Sequence, residues 1–494
     1  MSKTKKKSIN KPRRQPKRRK ATKAASSPSP AAATLEEVPQ KRQMKFQRPR
    51  GMRDILPEDW HYFDYIYRTA ESILRSYDFA RMETPVIEDI GLFAKAIGES
   101  TDIVSKEMFV IKERGEGKLA LRPEFTAGLV RAYIENGMTS RPQPVKLYSQ
   151  GPLFRAERPQ AGRYRQFHQI NWEIYGGEKS ALDAQIIQIA WRLFQRLGIS
   201  DIVIQLNSIG CRDCRPVYRQ QLLDYYRPYA NKLCADCKKR LKSNPLRVLD
   251  CKEEKCQRVA ANAPQMFDNL CDNCHDHFKQ LLEILDELDI PYMLNAKIVR
   301  GLDYYSRTVF EVWPADEGKS ELAQSAFGGG GRYDGLFEVL GGQPTPAVGI
   351  ALGVERIMLE MKEREIEPPA RPVPAIFLAQ LGEKAKKQCF KIFEELYLAD
   401  IDVIESLGRD SLKSQLKQAE KKNVVFTLIL GQKEAVDGTM IVRDMESGVQ
   451  EVVSQDGLIK YLRERLKVKA KENHTKIIPN DEKKPEPPPK KKKK

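Results

Sequence analysis

The chain has 494 residues with 85 Lys/Arg against 67 Asp/Glu, a formal +18, and is long enough for two or three domains with large cores. The excess sits at the ends. Residues 1–50 hold 17 basic and 2 acidic residues and residues 469–494 hold 10 and 4, so the tails contribute +15 and +6 and residues 51–468 carry −3. No apolar run approaches the ~20 residues that span a bilayer, and the opening MSKTKKKSINKPRRQPKRRK lacks the apolar stretch of a secretory signal; its Pro breaks and missing apolar stripe argue against an organelle-import helix, while its Arg/Lys-rich, acid-poor composition leaves that alternative open. These features exclude a membrane-spanning helix and point to a cytoplasmic chain. Nine cysteines without a secretory signal imply reduced thiols or metal ligation rather than disulfides.

Residues 1–47, Lys/Arg-rich and then Ala/Ser/Pro-rich, have the composition of a disordered tail, with sequence-independent attraction to polyanions. Helical spacing of Trp60, Phe63, Ile66, Tyr67, Ile73 and Leu74 predicts a helix over 56–77, followed by a strand with Pro85 inside it. A proline there fits an edge or interface strand. Leu121-Arg122-Pro123-Glu124-Phe125-Thr126-Ala127 leads into a helix through residue 134. Glu124 and Thr126 stand at that turn, placed either to face a pocket or simply to cap the helix.

Residues 147–176 read as strand, tight basic loop and strand. Leu147, Phe154, Phe167, Ile170, Trp172 and Ile174 flank a Pro/Gly turn, and Arg155, Arg158, Arg163 and Arg165 crowd one hairpin. Guanidinium forks suit phosphate oxygens and aromatic faces suit a base; a protective basic edge strand is the plain alternative. A helix over 183–197 and a strand over 201–207 follow. Residues 211–288 then carry Cys211-x2-Cys214, Cys234-x2-Cys237, Cys251-x4-Cys256 and Cys271-x2-Cys274, the texture of a small inserted domain. Paired CxxC spacing suits tetrahedral thiolate zinc, because one turn presents two sulfurs to one ion. At least one structural zinc is expected, with one site or two and the pairing left open; half-buried reduced thiols are the alternative.

Residues 297–312 read as two strands about a turn. Phe327-Gly328-Gly329-Gly330-Gly331-Arg332-Tyr333-Asp334-Gly335-Leu336 is a glycine-rich approach to something close-fitting, and residues 346–357 are a small-residue strand entering a helix that carries Arg356. Pro368, Pro369, Pro372 and Pro374 mark a linker. Beyond it, strand–helix alternation predicts a compact α/β domain with a largely parallel sheet, ending near 466–467, and a Lys/Pro-rich disordered tail over 468–494.

Taken together, the helix–strand with Pro85, the FRAERPQAGRYRQFHQ hairpin and GVERIML resemble, in order, the three signature motifs of the class II aminoacyl-tRNA synthetases. Arg300-Gly301-Leu302-Asp303-Tyr304-Tyr305 and the stretch 329–336 resemble sequences peculiar to the histidyl-tRNA synthetase family. The resemblance implies an α+β catalytic core over 48–370 built on an antiparallel sheet, interrupted by the Cys-rich insertion 211–288, and an anticodon-binding domain over 371–467. It implies a homodimer that joins L-histidine to tRNA(His) with ATP and Mg²⁺. For the nucleotide it assigns Arg155, Glu157, Arg163, Phe167, Arg332 and Arg356. For histidine it assigns Glu124, Phe125, Thr126, Gln169, Glu173, Arg300, Tyr304 and Tyr305, with Arg300 and Arg155 beside the reacting phosphate. His168, on the opposite face of its strand from Gln169, is expected to be structural.

Overall fold

Alternating apolar residues build the sheet on which everything else rests. The computed structural model describes residues 46–99, 101–112, 118–315, 326–370 and 374–477, so most of the basic tail expected over 1–47 lies outside the described residues. The strands are β1 (Ala80–Arg81), β2 (Ile87–Asp89), β3 (Val110–Lys112), β4 (Lys118–Leu121), β5 (Val145–Phe154), β6 (Gln166–Tyr175), β7 (Ile202–Ser208), β8 (Tyr292–Leu294), β9 (Ser306–Pro314), β10 (Gly328–Arg332), β11 (Ala347–Gly353), β12 (Ile376–Gln380), β13 (Val403–Glu405), β14 (Phe426–Leu430), β15 (Thr439–Asp444) and β16 (Gln450–Ser454).

Eight of them form one sheet in the order β1-β5-β6-β11-β10-β9-β7-β8. Every interior pair is antiparallel, and only β1 with β5 and β7 with β8, at the two edges, run parallel. The strand preceding Pro85 is thus an edge strand, where a missing N–H does least harm. One face packs on the helices Pro57–Ser76, Ser180–Arg196, Asp272–Glu287 and Val354–Glu363 through residues such as Phe63, Trp172, Phe194, Leu281 and Ile357. The other face borders a cluster that runs from Phe125 and Tyr133 into the cysteine-rich region at Tyr218, Leu222 and Val248.

Four local expectations change. Residues 297–305 form no strand: Arg300 has a φ of 59°, a left-handed conformation that regular ladder pairing does not tolerate, and only Ser306–Pro314 joins the sheet, with Arg307 at φ 51° where its register against β10 shifts. The insertion does not extend to 288, because helix Asp272–Glu287 buries Phe278, Leu281 and Leu285 in the main core. The C-terminal sheet, ordered β13-β12-β14-β15-β16, is mixed. β13, β12 and β14 are parallel, but β14–β15–β16 are antiparallel, since residues 431–438 and 445–449 are too short for a parallel crossover, which needs about a dozen residues. Finally, the last helix runs from Leu458 to Ile477 rather than stopping near 467, with Lys469 Nζ 3.2 Å from Asp444 and 2.9 Å from Glu446.

Candidate active site

The hairpin β5–β6 is registered from Val145 opposite Tyr175 to Phe154 opposite Gln166, and its loop is bridged between Gln160 and Arg163. A period of two puts Phe167, Gln169, Asn171, Glu173 and Tyr175 on one face and His168, Ile170, Trp172 and Ile174 on the other. The apolar members of the second face enter the helix-side core. His168 packs edge-on against Phe63, with its Nδ1 2.8 Å from Glu355 Oε1. The first face forms part of the floor of a cleft of about 630 Å³.

Arg155 and Arg163 enter this cleft from the hairpin, Arg356 from the helix Val354–Glu363, and Arg300 from the irregular segment before β9. Arg155 lies over the ring of Phe167 at 5.2 Å and its Nε donates to the Pro123 carbonyl. Arg163 is paired with Glu157 at 3.4 Å. Arg356 donates to the carbonyls of Gly162 and Ala326. Burial, with Arg163 and Arg155 pressing from the same side against the pull of Glu157, pushes the Arg356 guanidinium down to about 10. It stays charged at neutral pH. Arg155, Arg163 and Arg356, held together in this way, favour an anion between them.

Arg300 is paired with Glu311 and lies 5.7 Å from the Tyr305 ring centroid. Burial would lower its pKa, but Glu311 and Tyr305 raise it above the ordinary arginine value, so its charge is secure. Its Nε is buried without a hydrogen-bond partner among the described residues. The glycine run explains how it fits: a Cβ on Gly329 would lie 2.7 Å from Arg300 Nη1 and 2.4 Å from the Phe310 carbonyl.

At the other end of the cleft are Glu124, Phe125, Thr126, Gln169, Tyr304 and Tyr305. Glu124 accepts from the backbone N–H of Thr126 and of Ala127, each at 2.7 Å. It therefore caps the helix Thr126–Glu135 and faces the cleft as well, so the two readings are not alternatives. Burial raises its carboxyl from 4.5 to about 7, with the Glu173 charge adding and the two backbone donors opposing. Tyr304 and Tyr305 pack tilted with centroids 4.7 Å apart, and Tyr333 meets them edge to face at 5.5 and 6.4 Å.

Two expected residues stand elsewhere. Glu173 is fully buried beneath the floor and accepts from Thr126, Asn171, Tyr175 and Tyr333. Arg332 does not reach the cleft. It is 0% exposed, forked onto Asp183 at 2.8–3.1 Å, and its remaining N–H groups go to Asp334 and the carbonyls of Gly177 and Lys179. On β10 the residues 329 and 331 share one face and 330 and 332 the other, which turns Arg332 away from the face Arg300 covers. Tyr333, which reaches Glu173, and Glu311, which holds Arg300, escaped the sequence reading. Tyr333 lies inside the quoted 329–336 stretch, but nothing local marks Glu311.

The eight cysteines of the 211–274 region fall into two sets, Cys211/Cys214/Cys271/Cys274 and Cys234/Cys237/Cys251/Cys256. Within each set the sulfur atoms all lie within 4.8 Å of one another, an arrangement able to hold a metal ion.

A family model described as histidyl-tRNA synthetase matches residues 51–357, and one described as an anticodon binding domain matches residues 375–465. The histidine--tRNA ligase of Dehalococcoides mccartyi is 48% identical over 421 residues, covering 85% of this chain and 100% of that protein. That of Pelotomaculum thermopropionicum is 45% identical over 85% of this chain and 98% of its own length. The crystal structure of S. aureus histidyl-tRNA synthetase superimposes with a TM-score of 0.72 at 32% identity, covering 84% of this chain and 99% of that one. With a family model matching residues 51–357 and relatives of 45–48% identity over 85% of its length, the chain belongs to the histidyl-tRNA synthetase family.

Proposed function

We propose that the chain is an ATP-dependent ligase that activates L-histidine as histidyl-adenylate and transfers it to tRNA(His), releasing AMP and diphosphate. The observation that carries this reading is that Arg155, Arg300 and Arg356, from three distant segments, line one cleft with Glu124, Gln169, Tyr304 and Tyr305. In the first step a carboxylate attacks the α-phosphorus of ATP and pyrophosphate leaves. Both partners are anions, so positive charge and alignment matter more than proton transfer. Arg155 takes the α-phosphate, Phe167 stacks under the adenine, and Glu157 accepts from its amino group. Arg163 and Arg356 take the β- and γ-phosphates, and Mg²⁺ bound with the nucleotide would neutralise part of the phosphate charge. Arg300 stands where the histidine carboxylate meets the α-phosphate.

Glu124, Thr126 and Gln169 receive the ammonium group, Tyr305 meets one ring nitrogen, and Tyr304 and Phe125 form the adjoining wall. Glu173 receives the other ring nitrogen, which takes the place of a hydroxyl now donating to it. A ligand without those ring nitrogens leaves buried polar groups unpaired and is rejected strongly. Residues 375–465 engage tRNA, and the basic tails add salt-sensitive attraction. The exposed Val86, Ile87 and Val110 around the small sheet β2-β4-β3 support a homodimer. No helix among the described residues is long and apolar enough to cross a membrane, in keeping with a cytoplasmic enzyme. The cysteine sets hold structural zinc.

Pyrophosphate exchange with each standard amino acid tests the reading: exchange with histidine alone is expected. Exchange with none would favour a histidine-sensing paralogue or an RNA-binding module instead.

A pH dependence follows from Glu124. Its carboxylate form is the one that holds an ammonium group, so the KM for histidine should fall as pH rises through about 7. Glu124→Gln, which keeps the ligand's own titration, should lack that component; parallel profiles would remove Glu124 from the ammonium site. The same group affects folding with the opposite trend. Its folded pKa is raised, so its contribution to stability is present below 4.5 and lost as pH rises through about 7.

A further inference from the structure

We propose that the eight cysteines form two separate tetrathiolate zinc centres, and that the one at the neck of the insertion positions Tyr305 at the histidine end of the cleft. This rests on the zinc reading of the cysteines and on the placing of histidine given above.

The sulfur geometry carries the first half. Cys211 and Cys214 are 3.7 Å apart, Cys211 and Cys271 3.8 Å, Cys214 and Cys274 3.9 Å, and Cys234 and Cys251 3.9 Å. Four sulfurs about 2.3 Å from a tetrahedral zinc stand about 3.8 Å apart. All eight are free thiols, and each set has room for one ion. Backbone N–H groups already point at the sulfurs: those of Cys211 and Asp213 donate to Cys214 and Cys211 at 3.2 and 3.3 Å, and those of Cys234 and Cys237 donate to Cys256 and Cys234 at 3.2 and 3.3 Å. Such outer contacts orient thiolate ligands. Chain order alone does not pair Cys211/Cys214 with Cys271/Cys274, since two other cysteine pairs intervene.

The position of the first centre carries the second half. It ties the chain entering the insertion to the chain leaving it. Arg215, the residue after Cys214, is half-buried and donates to the Tyr305 carbonyl at 2.5 Å. Just before Cys211, the N–H of Ile209 donates to the Arg307 carbonyl at 2.8 Å, and the Gly210 carbonyl accepts from the Arg307 N–H at 2.9 Å. The neck loop therefore clamps the backbone on both sides of Ser306. The second centre lies along the cleft wall, where Cys234 and Cys251 are lining residues.

Elemental analysis of the full-length protein should give about two zinc per chain, released in two steps on titration with a mercurial. Cys214→Ser/Cys274→Ser and Cys237→Ser/Cys256→Ser should each retain one. If either variant fails to fold, cobalt exchange into the unaltered chain, read by tetrahedral thiolate bands at two ions per chain, gives the same count. No zinc, with every thiol open to alkylation, overturns the zinc reading itself, and a count of one overturns the two-centre proposal. Arg215→Gln tests the coupling without touching a ligand. It should keep two zinc, raise the KM for histidine about tenfold and leave the KM for ATP unchanged. An unaltered histidine KM, or equal rises for both substrates, overturns the positioning role and leaves the metal count standing.

Discussion

Arg300→Ala should slow histidine-dependent pyrophosphate exchange by about 10²–10³-fold, the usual cost of removing one donor aimed at developing charge. The guanidinium is pre-set for that task. A left-handed backbone at φ 59° turns it into the cleft, Glu311 anchors one end of its fork, and Gly329 leaves the space beneath it. Its buried Nε has no hydrogen-bond partner among the described residues, and a desolvated donor left unpaired is costly unless a ligand takes it. Histidine binding should remain measurable by calorimetry, because the ammonium and ring contacts lie on other residues. Arg300→Lys should recover little, since an ammonium cannot span Glu311 and a phosphate as a fork does. Exchange at the unaltered rate in Arg300→Ala would refute the assignment.

Arg332→Met should cost about 3–5 kcal/mol of stability, the range for removing one partner of a buried ion pair, with little change in the KM for ATP at temperatures where the protein stays folded. The residue and its partner Asp183 are both 0% exposed. Burial alone would raise the Asp183 carboxyl, but Arg332 and His277 hold it below its ordinary value. Without Arg332 that carboxylate is left in the core with His277 at 3.4 Å. Surface pairs such as Arg258–Glu254, both partners largely exposed, contribute no more than about 1 kcal/mol, so the contrast is large. Arg332→Met/Asp183→Asn should recover part of the loss in a thermal melt. A stable single variant whose KM for ATP rises sharply would return Arg332 to the nucleotide site.

Much of the machinery was legible because it is local. The alternation from Phe167 to Tyr175 fixes which side chains share a face, since a β-strand repeats every two residues. The Pro/Gly turn at 159–162 pins the hairpin that carries Arg155 and Arg163, and Glu124 stands at a helix start whatever surrounds it. The family resemblance then gathered these segments. It also carried Arg332 along with its glycine-rich neighbours, although the strand's own alternation sends that side chain to the opposite face. Glu173 shares the face of Gln169 by the same alternation, but its depth beneath Thr126 and Tyr333 depends on packing from two other segments.

From the chain alone come most of the element types, the hairpin face, the basic ends and the presence of four cysteine pairs, because backbone propensity, side-chain alternation and charge are properties of neighbouring residues. The three-dimensional arrangement alone decides which cysteines meet, that Arg332 belongs to Asp183, that Glu311 holds Arg300, and that the helix Asp272–Glu287 joins the core rather than the insertion. Each of those depends on contacts between residues far apart in the chain, whose energies come from burial and pairing across segments and leave no mark on the local pattern.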